Sequence, residues 1–203
     1  MLTTLSPSSI DTWLSCQLRW SFERTLDLPR PLNRDLLRGS AGHAALEAFY
    51  SAPPAARTLD LLQANALAYL ETVEPTSDKE ADILATATTD VGKALNQFWR
   101  AFGQDPLWYP VVTERRLERE LGPEVMLHGI LDGAVETRES ITILEFKFPL
   151  YTQQGSSYLW SPQHRYYGWL LDANKPVYIR YLLCSTTRAE QFGPHLIPNW
   201  QMM

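Results

Sequence analysis

The sequence predicts a single domain of the α/β or α+β class, spanning 1–203, mainly helical over 1–105 and sheet-forming over 106–185. Apolar residues recur at helical spacing up to about position 105 and at strand spacing after Pro110. A helical pattern, "SPQHRYYGWLLDA" (161–173), then separates two strand patterns, "SITILEFKF" and "PVYIRYLLC", as a crossover does. At 203 residues the chain can bury most of its apolar surface, and no repeat, low-complexity tract or linker divides it.

The elements follow in order. "LSPSSIDTWLSCQLRWSFERTL" opens a first helix, with Ser6 as N-cap, Pro7 at the first helical position, and Ile10, Trp13, Leu14 and Leu18 at helical spacing. After the proline-punctuated "LPRPLN", "RGSAGHAALEAFY" reads as a second helix and "LDLLQANALAYLETV" as a third. "SDKEADILATATTDVGKALNQFWRAF" is a fourth, capped by Ser77, with Ile83, Leu84, Val91, Leu95, Phe98 and Phe102 as its buried stripe. "VVTERRLEREL", "EVMLHGILDGAV" and "SITILEFKF" form an antiparallel meander turning at "ETRES". A polar loop, "YTQQGSSYLW", leads into the crossover helix, capped by Ser161, and the chain ends in a strand and an irregular tail, 186–203.

Composition narrows the function classes. Two cysteines, Cys16 and Cys184, exclude a disulfide framework and fit a reducing cytoplasm. The first ten residues lack a basic region followed by an apolar core, and no apolar run reaches the ~20 residues that span a bilayer, so no membrane partner is expected. The net charge of −5 argues against nucleic acid, but its distribution does not: 1–50 balance, 51–105 carry −4, 106–148 carry −3 and 149–203 carry +2. The two ends can therefore supply a DNA-facing surface.

In the third strand, Leu144, Phe146 and Phe148 share one face, and Ile141, Ile143, Glu145 and Lys147 the other. Both faces are then covered, and an acid beside a lysine is costly there unless paired or bound to a metal. Asp132 in the preceding strand comes within cross-strand reach. Two carboxylates on neighbouring strands make a hard oxygen site for Mg²⁺ or Mn²⁺, and a nearby lysine can stabilise charge on a phosphate. A cross-strand acid–lysine pair on a solvated face explains the same three residues.

Two more features bear on that choice. His43 sits near the start of a helix after Gly39 and Gly42, and Gln163 and Tyr167 lie four apart on a later helix. The ordered set G-x-x-x-H (Gly39 to His43), G-x-x-D (Gly129 to Asp132), E-x-K (Glu145 to Lys147) and Q-x-x-x-Y (Gln163 to Tyr167) resembles the RecB-type exonuclease branch of the PD-(D/E)XK nuclease superfamily. "SPSSIDTWLSCQLRWSF" resembles that branch's N-terminal helix, so the resemblance spans residues 6 to 167.

The resemblance implies a restriction-endonuclease-like core, a central mixed sheet flanked by helices, with an N-terminal helical segment. It implies one metal pocket, with His43, Asp132, Glu145 and the backbone carbonyl of Phe146 as ligands to Mg²⁺ or Mn²⁺. Lys147 becomes the catalytic lysine; Gln163 and Tyr167 steady either that lysine or the DNA backbone. The function implied is a metal-dependent deoxyribonuclease, an exonuclease processing single- or double-stranded ends in recombination or repair. Small stand-alone members look like phage or prophage enzymes working in the cytoplasm beside a strand-annealing or other recombination protein. Arg19, Arg24, Arg34 and Arg38 are the candidate phosphate contacts. Tyr158 and Trp160 can stack on unpaired bases or pack inside. Glu114, in the strand "VVTERRL", is a candidate to influence the pocket but is left unassigned, and His128, on the strand face of Asp132, is a candidate additional contact that the pattern does not call for.

The chain departs from the family in one respect. Many RecB-type members carry a four-cysteine iron–sulfur cluster; Cys16 holds the first position, Gln17 replaces the usual proline, and of the later three only Cys184 remains. No cluster is expected, and Cys16 is expected buried. Two other functions fit the pattern: a DNA-binding or docking module that kept the fold without the chemistry, and a protein-interaction domain with coincidental motifs.

Overall fold

The computed structural model describes residues 3–24, 26, 31–105, 112–151 and 162–197. The elements are β1 (Thr3–Leu5), α1 (Pro7–Ser15), α2 (Gln17–Arg24), α3 (Arg34–Ser51), a 3-10 turn (Pro54–Ala56), α4 (Leu59–Glu71) and α5 (Asp78–Ala101). Then follow β2 (Val112–Gly122), β3 (Val125–Glu136), β4 (Ile141–Lys147), α6 (Pro162–Leu171), β5 (Val177–Cys184) and β6 (Ala189–Ile197). The cap expected at Ser161 and the stacking candidates Tyr158 and Trp160 lie outside the described residues.

The start of α1 is fixed as the sequence predicts. Ser6 Oγ accepts from the Ser9 amide at 3.2 Å and Ser9 Oγ accepts from the Ser6 amide at 3.0 Å, a capping box closed by serine instead of glutamate. The single first helix needs correction. Thr12 and Ser15 donate back to the carbonyls of Ser8 and Asp11, a habit that bends helices. Cys16 turns extended there, and α2 starts afresh at Gln17. Cys16 is therefore exposed, not buried, while Cys184 is buried on β5, so the two thiols do not cluster.

The sheet runs β1–β3–β4–β5–β6, with β2 on the other edge of β3. The β2–β3–β4 meander is antiparallel, β4 and β5 are parallel, and α6 is the crossover between them. β1 lies parallel to β3 at 125–127, whereas β4 pairs with it at 133–136. One correction concerns the tail: 189–197 is not irregular but an antiparallel partner of β5. Gly193 and Pro194 hid it; at an irregular stretch of register between Ile179 and Tyr181 both are accommodated.

Two apolar cores sandwich the sheet. On one side α3, α4 and α5 pack Leu46, Phe49, Leu62, Leu95 and Phe98 against Leu144, Phe146 and Leu182. On the other, Tyr167 and Leu170 of α6 cover Leu131, Ile143, Tyr181 and Leu183. No helix among the described residues is long and apolar enough to cross a membrane.

Candidate active site

Two glycines set how closely helices approach the sheet. A Cβ on Gly42 would fall 2.5 Å from the Phe148 ring, so only glycine lets α3 seat on the end of β4 and bring in His43. Gly39, the motif glycine, has nothing within 4 Å of such a Cβ; the one beside His43 does the spacing. A Cβ on Gly129 would lie 2.7 Å from the Tyr167 ring, so its absence lets α6 settle on β3, where Tyr167 Oη donates to the Ile130 carbonyl at 2.8 Å.

Asp132 stands where β3 and β4 part. Its Oδ2 accepts from the Phe146 amide at 2.8 Å, and its Oδ1 lies 3.4 Å from His43 Nδ1. Across β2, Thr113 pairs with Gly133 and Arg115 with Leu131, which leaves Glu114 opposite Asp132. Glu114 takes a positive φ of 47°, uncommon for a residue with a side chain. Ligand-capable atoms of His43, Glu114 and Asp132 all lie within 4.8 Å of one another. The sequence pointed to Glu114 as a neighbour of the pocket but gave it no role, because nothing in "VVTERRL" marks a bend at that position.

Glu145 is 2 % exposed. Its Oε1 accepts from Lys147 Nζ at 2.6 Å and from Gln163 Nε2 at 2.7 Å, while its Oε2 is buried with no hydrogen-bond partner. Gln163 Nε2 also donates to Tyr167 Oη at 3.1 Å, and its Oε1 lies 3.3 Å from Lys147 Nζ. The structure thus brings together His43, Asp132, Glu145, Lys147, Gln163 and Tyr167, and adds Glu114. Phe146 takes part through its backbone; its ring faces the helix-side core, stacked on Tyr50 at 5.8 Å.

The electrostatics are those of crowded acids. Burial, then the charge of Glu145, holds the Asp132 carboxyl well above the usual range, with Lys147 opposing. Burial, then Glu47 and Glu145, pushes Glu114 up to about 7. Burial lowers His43 to about 4, leaving a neutral imidazole able to donate a lone pair. An orphaned buried carboxylate oxygen, two carboxyls that resist ionising and a neutral imidazole are the donor set a hard divalent cation completes.

The PD-(D/E)XK nuclease superfamily model matches residues 4–193. The chain belongs to the PD-(D/E)XK nuclease superfamily. No curated protein matches it. Its mixed sheet between helices is the restriction-endonuclease-like fold, and its clustered acids fit the divalent metals on which PD-(D/E)XK nucleases depend.

The arginines divide. Arg38 is 2 % exposed, donating to the Phe148 carbonyl at 2.6 Å and paired with Asp35 at 2.8 Å, so its burial corrects the expectation that it meets a phosphate. Arg34 is held by Asp90 at 2.6 Å, tying α3 to α5. Arg19 is at the surface, 2.7 Å from Glu23, and Arg24 is exposed at the end of α2.

Proposed function

We propose that this chain is a Mg²⁺- or Mn²⁺-dependent deoxyribonuclease that removes nucleotides from DNA ends, in recombination or repair. The observation that carries the reading is the convergence of His43, Glu114 and Asp132 within 4.8 Å, beside the unpartnered Glu145 Oε2. Those four side chains, with the Phe146 carbonyl, would hold the cation. Bound there, a divalent ion lowers the pKa of water and offsets negative charge on the reacting phosphate.

The chain's own residues supply orientation and charge. The Phe146 amide fixes one oxygen of Asp132. Glu145 and Gln163 hold the Lys147 ammonium beside the acids, where it opposes charge building on the phosphate. Tyr167, anchored on the Ile130 carbonyl, accepts from Gln163 and so sets which way that amide points. Arg19 remains a surface contact for the DNA backbone.

The test is cleavage of end-labelled linear single-stranded and duplex DNA, with covalently closed circles alongside, in Mg²⁺, Mn²⁺ or EDTA. Linear DNA should shorten with metal while circles survive, and Asp132→Ala and Lys147→Ala should slow the reaction by roughly 100-fold or more. Cut circles would make the enzyme an endonuclease. DNA bound but uncut under every metal would make the chain a docking module.

A further inference from the structure

Gln163 and Tyr167 belong to two sites. On one side they meet Glu145; on the other they help line a separate cavity of about 300 Å³. Its remaining polar lining comes from Ser6 and Ser8 at the start of α1, Arg24 at the end of α2 and His128 on β3. Among the described residues no carboxylate lines it, although Glu114, Asp132 and Glu145 crowd the cluster next door.

The nearest described acids are engaged with other arginines. Glu118, opposite His128 in the β2–β3 register, is paired with Arg116 at 2.7 Å. Glu23, beside Arg24 in sequence, is paired with Arg19 at 2.7 Å. His128 Nδ1 is buried without a hydrogen-bond partner. Burial, then Arg116, holds the His128 imidazole below its ordinary range against the pull of Glu118, and Arg24 is close enough to add to this, so a guanidinium and a neutral imidazole share one polar hollow. The positive end of α1 opens onto the same space. A guanidinium, an imidazole, hydroxyls and an amide with no acid among them complement an anion. Because Gln163 and Tyr167 are shared, that anion sits at a fixed short offset from the reacting centre.

We propose that this cavity is a phosphate subsite, in which Arg24 holds a phosphate of the substrate strand other than the one being cut. The inference rests on the nuclease reading above and assigns the strand a direction of approach: past the start of α1, across α6, to Lys147.

Binding in EDTA, without cleavage, tests it. Affinity for a single-stranded oligonucleotide is measured across a salt series for wild type, Arg24→Ala, Arg24→Lys and, as control, Arg188→Ala in the turn that leads into β6 at the far edge of the sheet. Arg24→Ala should flatten the slope of log affinity against log salt by about one, the signature of one lost phosphate contact. Arg24→Lys, which keeps the charge, should restore it, and Arg188→Ala should leave it unchanged. Single neutral methylphosphonate linkages, stepped along the strand, should show one position that weakens wild type and no longer matters in Arg24→Ala. If removing a terminal phosphate has that effect instead, the subsite reads the end of the strand. An unchanged slope in Arg24→Ala, with wild type cutting DNA normally, overturns the subsite and leaves the nuclease standing. A wild type that neither binds nor cuts DNA overturns both.

Discussion

On one face of β4, Leu144 and Phe146 belong to the apolar core that α3, α4 and α5 build against the sheet. On the other, Ile143 is packed under α6, but two residues later the same row carries Glu145 and then Lys147. The backbone is common to both, so the difference lies in what each row contributes. The helix-side face gains free energy from every side chain it buries. The α6-side face gains it at one end and gives some back at the other, where Glu145 is buried with one carboxylate oxygen unpartnered. Such a cost persists where function requires it.

The largest effect should come from the helix-side face. Phe146→Ala removes a fully buried ring and should cost about 3–5 kcal/mol. At about 2–4 °C per kcal/mol for a chain of this size, thermal melting will show it. A variant melting like wild type would mean that this face does not hold the sheet to the helices.

Metal should reverse the deficit on the other face. Mn²⁺ at a hundredfold excess over its dissociation constant should stabilise the protein by about 2.7 kcal/mol, and Asp132→Ala should abolish the gain. An undiminished rise in Asp132→Ala would place the ion elsewhere.

The smallest effect sharpens the comparison. Glu114 is raised to about 7 in the folded chain, above its ordinary carboxylate range. A carboxyl raised in this way costs stability increasingly as pH climbs from its unfolded value to its folded one, and fully above that. Glu114→Gln should therefore raise the melting temperature of metal-free protein more at pH 8 than at pH 5. Its partial exposure limits the gain to about 1 kcal/mol, or 2–4 °C. Equal shifts at both pH values would show that charge crowding is not what the metal relieves.

Much of this arrangement was legible in the residues. Alternation in "ITILEFKF" separated the two faces of β4, the caps at Ser6 and Ser77 placed α1 and α5, and the four spaced motifs gathered six of the clustered side chains. What escaped depends on contacts distant in sequence. Glu114 joins the cluster through a backbone bend opposite Asp132, which no local pattern encodes. Arg38 looked like surface charge because, apart from Asp35, the groups that bury it, Asp90 and the Phe148 carbonyl, lie far along the chain. β6 was concealed by Gly193 and Pro194, residues that end most strands but are tolerated in this irregular register.

The seat of α3 on Phe148 has a consequence for the chain as it is made. The groups that would grip the cation come from positions 43, 114, 132 and 145, on one helix and three strands. Until Gly42 docks against the end of β4, His43 has no fixed place beside Asp132. A half-folded chain is therefore unarmed, and the packing of helix layer on sheet is also the safety catch.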